Sequence, residues 1–357
     1  MHPGRIFAAV ALCASLIAAG YADAAEHQCT PFGNPPARSN QRFIPRSIAA
    51  HNPICFGGQV RGPWKDSEGN DRYACIYEPE ARSRDNPLPL VVFLHGSLAT
   101  ADSIKLTGLT STLATEDLGG KQHGFIVLAP EGRYTPHYYP RPDSNALGWD
   151  NWYRQLSPAG DVTVGGITYR ENVDAAAIDH FIQQELATGE VDPARIYMTG
   201  WSNGAAMAIL YALNRQSIAA AAVYSAPDPF GALTDPCPQM PTASPPTSKA
   251  QIQVFNPHVP VMHVRNACDI DGICPNGNAL DAQMSTLGIK VDDVIIDSDG
   301  KQVPACDNSC GTNPNGGGDI ATSRAALGFA HHIRWPTVVN PRIFDFMRNH
   351  PLSQPGK

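Results

Sequence analysis

The pentapeptide Gly200-Trp201-Ser202-Asn203-Gly204 sets a serine between two glycines, the spacing needed by a sharp strand-to-helix elbow. A serine hydroxyl is a poor nucleophile until a neighbouring base takes its proton, so this chemistry needs further residue types. An acid and a histidine following in the chain order Ser, Asp, His would supply them. Of the twelve histidines, only His258, His263, His331, His332 and His350 follow Ser202. The acid is expected just beyond a later apolar strand. "VPVMHVRNACD" delivers Asp269 there, with Asp271 as the rival two residues on. His258 and His263 precede Asp269 and drop out, and His350 ends the last predicted helix as a surface residue. That leaves the pair in "GFAHHIRWP". His331 is the expected base because the small Ala330 precedes it, and His332 is the alternative.

A nucleophile of this kind also needs donors for the oxyanion it creates. The amide of Asn203, directly after the serine, is one candidate. The amides of Ser97 and Leu98, in "FLHGSLAT" after an early strand, are the others, while His95 reads as a structural hydrogen-bonding residue. These positions must be held by a scaffold. "LPLVVFLHG" and "GFIVLAPEG" are continuous apolar runs ending in glycine, as in strands buried on both faces. "RYACIYEP" alternates like an edge strand, and "IAAAAVYSAP" and "VPVMHVRNACD" are further buried strands. "VDAAAIDHFIQQELA" carries apolar residues at helical spacing, a helix follows Ser202, and "PRIFDFMRNH" closes the chain as an amphipathic helix. Strands alternating with helices predict an α/β fold with a mostly parallel sheet and helices on both faces. Ligands would sit beyond the carboxyl ends of its strands.

The remaining composition bounds the setting. Residues 1–24 read as a signal peptide: a basic start, the apolar run "IFAAVALCASLIAAG", and small residues at Ala22 and Ala24 before cleavage. That run is short of the roughly 20 residues a membrane span needs, so the mature chain is expected to be secreted without an anchor. The net charge of −7 is scattered and forms no basic cluster, which argues against nucleic acid as a partner. Residues 25–71 are rich in Pro, Asn and Gly and read as an irregular segment, with the catalytic domain at 72–357. A proline-rich stretch at 227–258 reads as a lid, a binding loop or a plain insertion. Cys29, Cys55, Cys75, Cys237, Cys268, Cys274, Cys306 and Cys310 lie beyond the signal. In an oxidising compartment they predict disulfides rather than zinc, whose paired C-x2-C pattern is missing.

Taken in order, "LPLVVFLHG", "GFIVLAPEG", "VDPARIYMTGWSNG", "PVMHVRNACD" and a late histidine before Trp335-Pro336 resemble the poly(3-hydroxybutyrate) depolymerase and feruloyl esterase group of α/β hydrolases. The resemblance covers about Arg72 to Pro351, with gaps. It departs from the group at Gly204-Ala205, at the Asn266-Ala267-Cys268 run before the acid, and in the longer spacing from histidine to Trp335. It implies an α/β-hydrolase fold and a secreted serine esterase acting on hydroxyalkanoate esters, without cofactor or metal. Feruloyl or acetyl esters on plant polysaccharide are the alternative substrates. A non-catalytic binding protein on the same scaffold is the alternative of another class. The resemblance further implies Trp149 in "GWDNWYRQ", together with Trp201 and Trp335, as substrate-contacting aromatics. Core packing is the other reading of Trp149.

Overall fold

The computed structural model describes residues 53–66, 69–97, 99–132, 137–139, 141–143, 148–149, 162–164, 167–169, 172–228, 252, 254–270, 273–307, 310 and 323–352. Eight strands form one sheet: β1 (Gln59–Lys65), β2 (Asp71–Tyr77), β3 (Leu88–Leu94), β4 (Ile126–Pro130), β5 (Val191–Gly200), β6 (Ala220–Tyr224), β7 (Val261–Asn266) and β8 (Val291–Ile296). Their order is β1-β2-β4-β3-β5-β6-β7-β8. β2 runs antiparallel to both its neighbours, and every other pairing is parallel. This crossover pattern is that of the α/β-hydrolase fold. Two short hairpins, His137–Tyr139 with Arg141–Asp143 and Val162–Val164 with Ile167–Tyr169, lie between β4 and the first long helix.

The α-helices among the described residues are α1 (Val173–Leu186), α2 (Asn203–Leu213), α3 (Ile273–Thr286), α4 (Ser323–His332) and α5 (Asn340–Arg348). Side chains alternate across a strand, and β3 shows why its sequence had to be apolar throughout. Leu90, Val92 and Leu94 join the core under α1, α2 and α3, with Ile178, Phe181, Met207 and Leu280. Val91 and Phe93 join the opposite core, with Ile104, Leu109, Phe344 and Met347. The alanine-rich α2 is buried along its whole length, so small side chains let it lie close against the sheet. α1 starts at Asn172, whose side chain accepts from the amides of Asp174 and Ala175 at 2.9 and 3.2 Å. Such a cap satisfies amides that have no partner within the helix.

Three expectations are corrected. "RYACIYEP" is not an edge strand, because β1 pairs outside it, from a stretch read as irregular. A disulfide between Cys55 and Cys75 ties that stretch to β2, and Trp64 of β1 stacks on His180 at 4.6 Å between ring centroids. Second, α3 and β8 had no predicted counterpart. α3 carries Pro275 in its first turn, where proline is tolerated. Gly277 is required there because a β-carbon would lie 2.4 Å from Cδ of Arg265. Third, the segment around the histidine pair, given no element from the sequence, is the helix α4. Residues 1–24, Cys29, Cys237 and residues 229–251 lie outside the described residues. Among those described, no helix is long and apolar enough to cross a membrane.

Candidate active site

Ser202 sits between β5 and α2 with φ 56° and ψ −122°, a backbone conformation that non-glycine residues seldom adopt. Its amide donates to the Tyr224 carbonyl at 3.0 Å, and the Trp201 amide to that of Leu94 at 3.1 Å. The elbow is thereby stitched to β6 on one side and β3 on the other. Its glycines are demanded by space. A β-carbon on Gly204 would lie 2.2 Å from the Leu94 carbonyl oxygen, and one on Gly200 would lie 2.6 Å from that of Gly204.

The structure brings Ser202, Asp269 and His332 together. His332 Nε2 lies 2.8 Å from Ser202 Oγ, and its Nδ1 lies 2.8 Å from Asp269 Oδ1. The carboxylate can only accept, so Nδ1 carries the proton and Nε2 is left to accept from the serine hydroxyl. The expected partner, His331, does not face the serine. Its Nδ1 lies 2.9 Å from the Cys268 carbonyl, to which it donates. Adjacent helical residues point about 100° apart, so only one of the pair can face Ser202.

The choice between them is made by distant donors. The final carbonyls of a helix have no partner within it. Here the Trp201 indole N–H donates to the His332 carbonyl at 2.7 Å, and the Tyr224 hydroxyl donates to that of His331 at 2.9 Å. Burial pushes the Tyr224 phenol well above its ordinary range, which keeps it a donor. α4 also packs directly on the acid loop: a β-carbon on Gly328 would lie 2.7 Å from the Asp269 carbonyl oxygen. Gly328 lies one turn before His332, and nothing in the sequence pattern singled it out.

Asp269 is buried just past β7, where it was expected, and Asp271 lies outside the described residues. The acid loop is fastened by two nested disulfides, Cys268 to Cys310 and Cys274 to Cys306. No group of residues suited to hold a metal ion occurs among the described residues.

Of the oxyanion candidates, Asn203 is the first residue of α2, immediately after Ser202, so its amide points from the positive end of that helix. Its side chain clasps Trp149, accepting from the Trp149 amide at 2.7 Å and donating to the Trp149 carbonyl at 3.2 Å. The loop after β3 lies against the elbow, since a β-carbon on Gly96 would lie 3.4 Å from Cβ of Ser202. Ser97 follows on an exposed turn, and Leu98 lies outside the described residues. His95 accepts from the Gly132 amide through Nε2 at 2.9 Å and donates from Nδ1 to the Gly96 carbonyl at 2.8 Å, which makes it structural.

The three tryptophans lie in the packed interior, the reading that stood beside substrate contact for Trp149. Trp149, Trp201 and Trp335 are all buried, and each indole N–H is committed within the protein. Trp149 donates to the His95 carbonyl at 2.9 Å and Trp335 to Oδ1 of Asn340 at 2.8 Å, besides the Trp201 bond to His332. Trp201, Trp335 and Tyr224 pack edge-on or tilted, with centroids 5.6 to 6.5 Å apart. These rings build the floor under α4. Sequence reasoning also missed Ser225, whose hydroxyl donates to Asp269 Oδ2 at 2.7 Å.

No protein-family model matches the chain. Over 146 residues it is 28% identical to poly(3-hydroxyalkanoate) depolymerase C of Paucimonas lemoignei, a match spanning 41% of this chain and 29% of that protein. Among solved structures, a thermostable esterase is 17% identical with a TM-score of 0.48, over 84% of this chain and 64% of the other. The apo form of Thermogutta terrifontis esterase 2 is 14% identical with a TM-score of 0.46, over 82% and 96%.

Proposed function

We propose that this chain is a serine carboxylic ester hydrolase with Ser202 as nucleophile, His332 as general base and Asp269 as the acid that orients it. One observation carries the reading: a single imidazole with one nitrogen on a strained serine and the other on a buried carboxylate. In the proposed cycle Ser202 Oγ attacks the ester carbonyl carbon while its proton passes to His332 Nε2. Asp269 holds the tautomer and stabilises the imidazolium without itself being protonated. The amide of Asn203, with that of Ser97 or Leu98, receives the oxyanion. Collapse of the tetrahedral intermediate expels the alcohol, which takes the proton from His332. Water then attacks the acyl-enzyme by the same route and frees the acid.

For the substrate we propose a hydroxyalkanoate ester, oligomeric or polymeric, supported by the partial match to the depolymerase and by the ordered motifs of the sequence. Secretion is part of the proposal; the three disulfides among the described residues fit an oxidising compartment. The test is a panel of hydroxybutyrate oligomers, methyl ferulate and acetylated xylan, run beside labelling by a fluorophosphonate. Labelling at Ser202 with turnover of the oligomers is expected. Turnover of only the ferulate or xylan would move the substrate to plant polysaccharide esters. Absence of labelling on folded protein would leave a binding protein.

A further inference from the structure

The two oxygens of Asp269 are divided between different neighbours. Oδ1 accepts from His332 Nδ1 at 2.8 Å and from the Ile270 amide at 2.7 Å. Oδ2 accepts from the Ser225 hydroxyl at 2.7 Å. Ser225 is fully buried at the carboxyl end of β6, the strand lying between the one that presents Ser202 and the one that presents Asp269.

Its backbone is as unusual as that of the nucleophile. Ser225 has φ 55°, and Ser202 is the other non-glycine residue with positive φ among those described. Such strain persists only where the surroundings over-determine it, and it clusters at functional sites. Here the constraints can be named. The Ser225 amide donates to the Val264 carbonyl at 2.8 Å. The next amide, of Ala226, donates to His263 Nε2 at 3.1 Å. His263 in turn donates from Nδ1 to Asp281 of α3 at 2.8 Å. A glycine would take this backbone without strain, so the turn alone does not require serine. The hydroxyl is what glycine lacks.

We propose that Ser225 is a positioning residue for the acid. Its hydroxyl fixes the carboxylate plane so that Oδ1 stays directed at His332 Nδ1. The torsion that turns a carboxylate is broad and weakly held by itself. With Oδ2 unfastened the plane would rotate, and the imidazole would follow it away from Ser202. Ser225 reaches neither substrate nor base, so it acts on them through Asp269. This rests on the triad reading above.

The test uses Ser225→Ala and Ser225→Gly in the full chain. A hydrogen bond to a charged group is worth about a 10- to 100-fold change. Both variants should therefore lose about that much kcat at unchanged KM, the pattern of an interaction that matters in the transition state. The low-field proton resonance of His332 Nδ1–H should move or broaden in both. Ser225→Gly should melt no lower than Ser225→Ala, which separates the hydroxyl from the backbone and supplies a folded variant if alanine is not tolerated. Wild-type kcat with an unmoved resonance in Ser225→Gly would overturn the proposal. Ser202→Ala is run alongside. If it is inactive while the Ser225 variants are normal, only this proposal falls; if it retains activity, the triad reading falls first.

Discussion

The two halves of the candidate site are built on different plans. The nucleophile half is local: β5, the elbow and α2 are continuous in sequence, and Gly200 and Gly204 lie two residues either side of Ser202. The acid–base half is assembled at long range. His332 meets Asp269 across 63 residues and Ser202 across 130. It is held by two disulfides, two aromatic donors and the close approach of Gly328. A local element is fixed by the conformational choices of a few residues. A long-range one depends on many separate fastenings, and each can fail alone.

The largest test of that contrast compares the reactive groups themselves. Ser202→Ala and His332→Ala should each lower ester hydrolysis by about 10⁶-fold, the scale seen when a triad member is removed. His331→Ala should cost about tenfold or less, since it loses one hydrogen bond to a backbone carbonyl. Steady-state rates on purified, folded variants decide this. A reversal between the two histidines would return the base to His331.

Next come the disulfides, which separate stability from catalysis. Cys268→Ser with Cys310→Ser should cost about 3 kcal/mol in chain-entropy terms, because the enclosed Cys274–Cys306 bridge already shortens the loop, and Cys55→Ser with Cys75→Ser also about 3. Only the first pair should also depress kcat, because only that bridge adjoins Asp269. Denaturant melts paired with turnover will show it. Equal kcat in both double variants would mean that α4 holds the acid loop without the bridge.

Gly328→Ala is a smaller perturbation of the same half. Its new methyl would meet the Asp269 carbonyl oxygen, and overpacking of this kind costs about 1–3 kcal/mol. The expected signature is a lowered melting temperature together with a weaker His332–Asp269 contact, visible as a shift of the Nδ1 proton in NMR spectra.

The smallest effect lies beside the candidate oxyanion loop, outside both halves. Glu131, at the end of β4, accepts from the amide of Ala101 at 2.5 Å, at the start of the turn that follows the candidate oxyanion loop. Burial pushes its carboxyl up from 4.5 to about 7, against the Ala101 hydrogen bond and Arg72, which pull it down. The folded value exceeds the unfolded one, so the unfolded chain loses its proton first and stability declines as pH rises from about 4.5 through about 7. Glu131→Gln keeps an acceptor and removes that dependence. Between about pH 5 and 8 the wild type should lose a few °C of melting temperature relative to the variant.

The sequence revealed what local geometry specifies. The elbow follows from glycine spacing, and Asp269 from its place after an apolar strand. The sheet was legible because β3, β4, β6 and β7 are apolar enough to be buried on both faces. The histidine was not legible: the facing of α4 is decided by Trp201 and Tyr224, more than 100 residues away. Nor were the tryptophans, since an indole one residue from a nucleophile looks like a substrate contact until its N–H is seen donating to His332. β1 and α3 were hidden by glycine and proline, which mark turns in isolation but here sit where strand pairing or close packing admits them.

The Trp201 indole has one more consequence. Trp201 is bonded covalently to Ser202 and by hydrogen bond to the last residue of α4, so the proposed nucleophile and base share an anchor. α4 can leave the sheet only by breaking that bond, and a group fixed on Ser202 that also engages His332 would raise the free energy of such an opening. Occupancy of the serine is then felt as protection of the helix's amides from exchange with solvent. On the proposed roles, the helix that carries His332 becomes a gauge of whether Ser202 is occupied.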